Sequence, residues 1–328
     1  MNRRSRLIAA LAAALAFVAG TAALAFPIAG KPIRFIVPFP AGGEVIDGTA
    51  RVIAHRLGEA LGASVIVENR PGAGNVIGNH AVAVAIPDGH TLLYGAVTSF
   101  TLLPHQLSKR PYDEFRDFTP ITHVARFALF LVSHPSLPVE NLRGLVEYAR
   151  ANPGKVSFAS WQLGGLNHLY LEMLKTETGV DMLHVPYKSF LDAQRDLIEG
   201  RIHMVMSGTS TNLSWVRSGK LKILGVASAK RMPGLSEFPT FGEQGFQGYD
   251  QTGSLAFFGP PKLPLEIVKR LNSELARILR SPEFIDFVAR VSPAGEVEPS
   301  SPEELAALVR NQHDTMGPII RKLGIRID

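Results

Sequence analysis

Cysteine is absent from this 328-residue chain, which excludes a disulfide framework, thiolate metal ligands and a lipid attached through an N-terminal cysteine. The signatures of several enzyme classes are missing too. There is no G-x-S-x-G turn for a serine hydrolase, no G-x-x-x-x-G-K-[ST] loop for a nucleotide-hydrolysing enzyme, and no H-E-x-x-H or His/Cys cluster for a metal. Gly72, Gly74 and Gly78 are spaced one residue too widely for a dinucleotide fingerprint, and no acidic residue ends the next strand at the expected place. Charged residues make up only 19%, and the basic ones are scattered rather than interleaved with aromatics, so nucleic acid is not expected as a partner. These absences favour a protein without catalysis, cofactor or metal.

What the chain does contain begins with a compartment signal. Arg3, Arg4 and Arg6 form a basic head, Leu7 to Gly20 is a small apolar run, and Ala23-Leu24-Ala25 is an A-x-A cleavage site. The run is short for a bilayer span, and Pro27 follows it without a stop-transfer cluster. Residues 1–25 are therefore read as a secretory signal peptide, with a soluble periplasmic protein starting at Phe26. Losing three arginines with that segment takes the formal charge from +5 to +2, nearly neutral. The remaining length, with 46% hydrophobic residues overall, suits two domains of ordinary size.

Beyond Phe26, apolar runs rich in strand formers alternate with stretches of helical period. Strands are predicted at 33–39, 64–68 and 91–95, with helices at 48–61 and 76–85 between them. That βαβαβ order favours a parallel sheet flanked by helices. A second series starts near Phe127, with strands at 130–133, 156–159, 182–185, 202–207 and 223–228 and helices at 141–151, 167–178 and 190–199. A Pro/Gly-rich connection at 233–248, a strand at 254–259 and helices at 265–279 and 302–323 close the chain.

Glycines and small polar residues follow several of these strands: Gly42-Gly43, Thr98-Ser99, Ser160, Gly164-Gly165 and Ser207. In a parallel sheet such positions converge on a cleft. Several precede a helix, whose free N–H groups and dipole can hold a carboxylate without a cationic side chain. Any one of these glycines could simply end a strand or cap a helix; five such loops in register point to a binding cleft.

The strings KPIRFIVPFPAGG (31–43), VENRPGAG (67–74), PDGHTLLYG (87–95), HVPYK (184–188) and GKLKILGVASAKR (219–231) resemble the Bug-type receptors of tripartite tricarboxylate transporters. They stand in family order and spacing, and the similarity extends from Phe26 to the C-terminal LGIRID. The resemblance implies a two-lobed α/β fold of the periplasmic-binding-protein or Venus flytrap kind. Each lobe would be a mixed or parallel sheet flanked by helices, and crossing strands would join them. Residues 26–126 with 250–328 would form one lobe and 127–249 the other. The implied role is to close on a small organic carboxylate and deliver it to the membrane subunits of the transporter, as a monomer.

Carried over by position, the resemblance implies five grips on the ligand. The first is the loop from Gly42 and Gly43 to Asp47, one residue longer than usual; Asp47 itself reads as a helix cap with some ligand contact. The second is Thr98, Ser99 and Phe100, where hydroxyls remain but the family's His and Asn do not. The third runs from Ser160 and Trp161 through Gly164 and Gly165 to His168. Phe190 opens the fourth and Ser207 is the fifth, at a position commonly Asp. His168 and His184 read as core or capping histidines, and Lys188 as either an anion contact or a solvated charge.

Phe100, Trp161, Leu163 and Phe190 stand where the family more often has small or polar residues. They predict an apolar or aromatic ligand body, with its carboxylate on the amides near Gly42-Gly43 and Thr98-Ser99. The missing acid at Ser207 disfavours an amino acid. Two alternatives stay open: a sensing receptor that docks on a signalling protein and, lower in rank, an α/β hydrolase-like enzyme.

Overall fold

The computed structural model describes residues 26–327 apart from Gln162 and Gln251. The expected signal peptide, 1–25, lies outside the described residues. No helix among the described residues is long and apolar enough to cross a membrane.

The first lobe is built on β1 (Ile33–Val37), which runs parallel to β2 (Val65–Asn69) on one side and β3 (Thr91–Ala96) on the other. Helices α1 (Ile46–Leu61) and α2 (Val76–Ala83) make the crossovers, as the βαβαβ pattern predicts. Alternation along β1 sends Ile33, Phe35 and Val37 into a core with Ile53 and Leu57 of α1. Ile36 faces a second apolar layer on the other side of the sheet.

Two strands then enter antiparallel. β10 (Gly253–Gly259) lies between β3 and β4 (Thr119–Phe127), and the short β11 (Gly295–Val297) pairs with the far edge of β4. The sequence reading started its second series near Phe127 and passed over β4. Pro120 and His123 interrupt its apolar pattern, and both pair with β10. Buried Ala128 links β4 to β5 (Leu129–Ser133) of the other sheet, so this missed element is one of the crossing strands.

The second lobe has the strand order β7-β6-β8-β5-β9. Its strands are β6 (Val156–Ser160), β7 (Met182–Pro186), β8 (Met204–Ser207) and β9 (Lys222–Ala227), with β5 antiparallel to β8 and β9. A single helical turn, α3 (Thr98–Thr101), follows β3 in the first lobe. Helices α4 (Leu142–Ala151), α5 (Leu166–Thr178), α6 (Phe190–Ile198) and α7 (Ser210–Arg217) belong to the second. Local signals explain several boundaries. The Asn141 side chain accepts from the Gly144 N–H at the start of α4, and Gly179 takes the left-handed conformation that ends α5.

Helices α8 (Leu265–Leu279), α9 (Pro282–Val291) and α10 (Pro302–Leu323) complete the chain; α7 and α9 were not anticipated. α10 starts with a capping box in which Ser301 and Glu304 exchange hydrogen bonds. Its early residues Leu305 and Val309 pack on the first lobe, whereas Met316 and Ile320 join the core of the second. Gly317 and Pro318 stand within that second half. A Cβ on Gly317 would come 2.6 Å from the His105 ring, so only glycine permits this approach.

Candidate functional site

Two of the loops predicted to converge, at Thr98-Ser99 and Gly164-Gly165, meet where the two lobes face each other. Thr98 and Ser99 from the first lobe and Gly164 and Gly165 from the second line one small cavity of about 20 Å³, together with Asn75, Gln106 and Leu163. Asn75 donates its amide to Ser99 Oγ at 3.3 Å. Phe100 does not share this position. Its side chain is fully buried between Phe118 and Phe258, at ring distances of 4.9 and 4.3 Å. The expectation of a Phe100 wall is therefore corrected: on the single turn α3, Ser99 and Phe100 project differently, and the large apolar ring takes the core.

The loop from Gly42 to Asp47 is organised by a buried carboxylate. Asp47 accepts from the Gly42 N–H at 2.8 Å, from Arg51 at 2.9 and 3.1 Å and from Asn69 at 2.9 Å. Burial alone would raise its pKa; the hydrogen bonds from Arg51, Gly42 and Asn69 outweigh that and hold it below the usual carboxylate range. Two expectations change with this geometry. Asp47 holds the loop rather than capping the helix, since α1 has no side-chain cap, and the Gly42 N–H is spent on Asp47 rather than offered to a ligand. Gly43 and Glu44 are exposed.

In the second lobe the corresponding turn hangs on imidazoles. The Gly164 N–H donates to His168 Nδ1 at 3.2 Å, and Ser160 Oγ and His184 Nε2 are 2.7 Å apart. The two imidazoles stack at 4.2 Å, and His184 stacks in turn on Phe158 at 5.0 Å. Burial, followed by the charges of His184 and Lys175, pushes His168 down to about 4, so it is neutral at ordinary pH. Ser160 and His168 thus serve as supports beneath the turn. Ser207 is buried at the end of β8, beside Thr209.

His168, Glu172 and His184 bring three possible metal-ligand atoms within 4.8 Å of one another. Their chemistry is poor for an ion. Near-parallel rings direct their lone pairs side by side instead of converging, His168 Nδ1 already accepts a backbone N–H, and the Lys175 ammonium lies 3.0 Å from Glu172. The reading as core histidines fits this arrangement better.

Hydrogen bonds join the lobes, one of them from the Ser292 hydroxyl to the Gly208 carbonyl at 2.7 Å. Gln106 donates to the Gly164 carbonyl at 2.6 Å, and Thr211 donates to Glu44 Oε1 at 2.6 Å. Gly164 has φ +73°, and a Cβ there would lie 2.7 Å from the Gln106 side chain. Sequence reasoning missed Gln106 and Glu44, though the extra residue in the Gly43 to Asp47 loop was a signal for the second. Trp161 and Phe190 form an edge-on pair at 4.6 Å, and Trp161 packs on the second lobe's core; Leu163, 49% exposed, lines the small cavity.

A pair of α/β lobes joined by a crossing strand, with strand-end loops meeting between them, defines the fold of the two-lobed periplasmic binding proteins. The chain belongs to the tripartite tricarboxylate transporter receptor family, whose pattern, "Tripartite tricarboxylate transporter family receptor", matches residues 49–325. It is a solute-binding receptor of that system. A UPF0065 protein of Bordetella pertussis is 32% identical, over 99% of this chain and 97% of that protein. The solved structure of R. palustris Rpa4515 with adipate has a TM-score of 0.82 at 32% identity, covering 91% of this chain and 99% of that one. Periplasmic binding protein BugD follows at a TM-score of 0.80 and 31% identity, over 91% and 99% of the two chains.

Proposed function

We propose that this chain, exported by its first 25 residues and acting as a monomer in the periplasm, captures a small organic carboxylate between its lobes and hands it to the transporter's membrane subunits. It does so without chemistry of its own. The ligand's carboxylate sits against Thr98, Ser99 and the start of α5 at Gly165, and its apolar or aromatic body lies along Trp161, Leu163 and Phe190. Strong support comes from two buried donors. Asn167 Nδ2 and Asn212 Nδ2, in the first turns of α5 and α7, have no hydrogen-bond partner among the described residues. A buried donor left unpaired costs about 1–3 kcal/mol, which an acceptor-rich ligand or its ordered water recovers. None of the residues lining the cavity is Lys or Arg, so helix N–H groups and dipoles supply the attraction. The relative solved with adipate adds a case in which a small organic acid accompanies this fold.

Titration calorimetry with benzoates, medium-chain diacids, citrate and malate tests this reading, with X-ray scattering on the same samples. At least one acid should bind once per chain and reduce the radius of gyration, and Ser99→Ala or Asn167→Ala should weaken it. Silence across the whole panel, or binding unaffected by both substitutions, would overturn the assignment.

A further inference from the structure

Glu44 is the feature of the cleft that carboxylate binding does not explain. It stands in the loop that is one residue longer than usual, is exposed, and reaches across the lobes to accept the Thr211 hydroxyl at 2.6 Å. No Lys, Arg or His lies within ion-pair distance of it among the described residues. The neighbouring acid, Asp47, is neutralised by Arg51, but nothing neutralises Glu44. The residues lining the small cavity at Thr98 and Gly165, which also lies between the lobes, are all uncharged. A receptor that closes here on an anion therefore keeps a negative charge at the meeting line of its lobes.

We infer that Glu44 sets the charge of the accepted ligand: the cleft takes monoanions, one carboxylate with a neutral far end, and rejects dianions of the same size. This rests on the proposed binding of a carboxylate between the lobes. The physical basis is repulsion between Glu44 and a second carboxylate, strengthened when closure removes water from between them. A far end that donates hydrogen bonds, such as an amide or hydroxyl, can take Thr211's place on Glu44 Oε1. The Thr211 bond ties the Glu44 side chain to the opposite lobe, so the charge is held between the two lobes.

The test uses matched pairs that differ only at the far end, adipate with its monoamide and terephthalate with its monoamide, titrated into the mature protein at pH 7.5. The wild type should bind a monoamide about tenfold more tightly than its dianion at low salt, with the gap narrowing as salt rises. Glu44→Gln should close most of that gap by improving the dianion. Thr211→Val, which removes the hydrogen bond but keeps the charge, should leave the preference in place. Equal affinities in the wild type, a gap untouched by Glu44→Gln, or a Thr211→Val variant that behaves like Glu44→Gln would each overturn the inference. A wild type that binds none of the four probes overturns it too; the carboxylate reading survives that result if another acid of the calorimetric panel binds, and falls if none does.

Discussion

The two walls of the cleft are held in opposite ways. On the first lobe the loop from Gly42 is tied to a buried carboxylate, Asp47, which is itself clamped by Arg51 and Asn69. On the second, the turn carrying Gly164 and Gly165 hangs from a neutral imidazole, His168, stacked on His184, which in turn stacks on Phe158. One wall depends on a proton staying off an acid, the other on a proton staying off a base. Because the two groups leave their functional states at different pH, the walls have separate vulnerabilities although they face one cleft.

The comparison is tested most severely by Asp47→Ala. Removing the carboxylate leaves the Gly42 N–H, Arg51 and Asn69 without their shared acceptor, which should cost about 2–4 kcal/mol of stability by urea denaturation. The effect should be larger than that of Ser207→Ala, where the hydroxyl makes only long contacts of 3.4 and 3.5 Å. If the two variants prove equally stable, the charged anchor is not what holds the first wall.

Acid should loosen the second wall before the first. The folded-state pKa of His168, about 4, is below its ordinary 6.5, so the unfolded chain binds the extra proton and stability falls as pH drops from 6.5 towards 4. Asp47, lowered from 3.8, keeps its contribution above that value and loses it only as pH falls through its depressed folded pKa. By pH 5 the His168 contribution to that loss amounts to about 2 kcal/mol. His168→Asn retains an acceptor for the Gly164 N–H and removes the titration, so its stability should change less between pH 7 and pH 5 than the wild type's. The imidazoles outside the His168–His184 stack are common to both proteins and cancel. Identical slopes would remove the distinction between the walls.

A smaller effect is expected where the walls touch. Gly164→Ala strains a residue at φ +73° and drives a Cβ against Gln106, costing about 1–2 kcal/mol and weakening a ligand that needs the closed cleft. In a Gln106→Ala background the clash disappears while the backbone strain stays. Calorimetry on the four proteins should therefore show the affinity loss only when Gln106 is present; a loss of equal size in both backgrounds would mean that this contact does not control closure.

Much of this was legible in the chain because its signals are local. The alternation in IRFIVPF gives β1 both its extension and its buried face, and a glycine or hydroxyl just after a strand marks a loop at the strand's C-terminal end whatever the rest of the fold does. Thr98, Ser99 and Gly165 were found that way. Other features depend on pairs that sequence spacing does not reveal. Gln106 acquires its role only when a residue 58 positions away arrives beside it, and Glu44 when one 167 positions away does. Phe100 was misplaced because a four-residue helix is too short for its periodicity to show which face is inward. Gly42 was misjudged for another reason: a free N–H in a loop can be claimed by a nearby side chain, here Asp47.

The last helix couples the thermodynamics of the two lobes. Leu305 and Val309 belong to one core and Met316 and Ile320 to the other, within a single run of α10. Neither half of that helix can melt without stripping apolar cover from a lobe. Denaturation of one lobe therefore exposes part of the other's core, and the receptor's two halves are bound to a shared cooperative transition in stability.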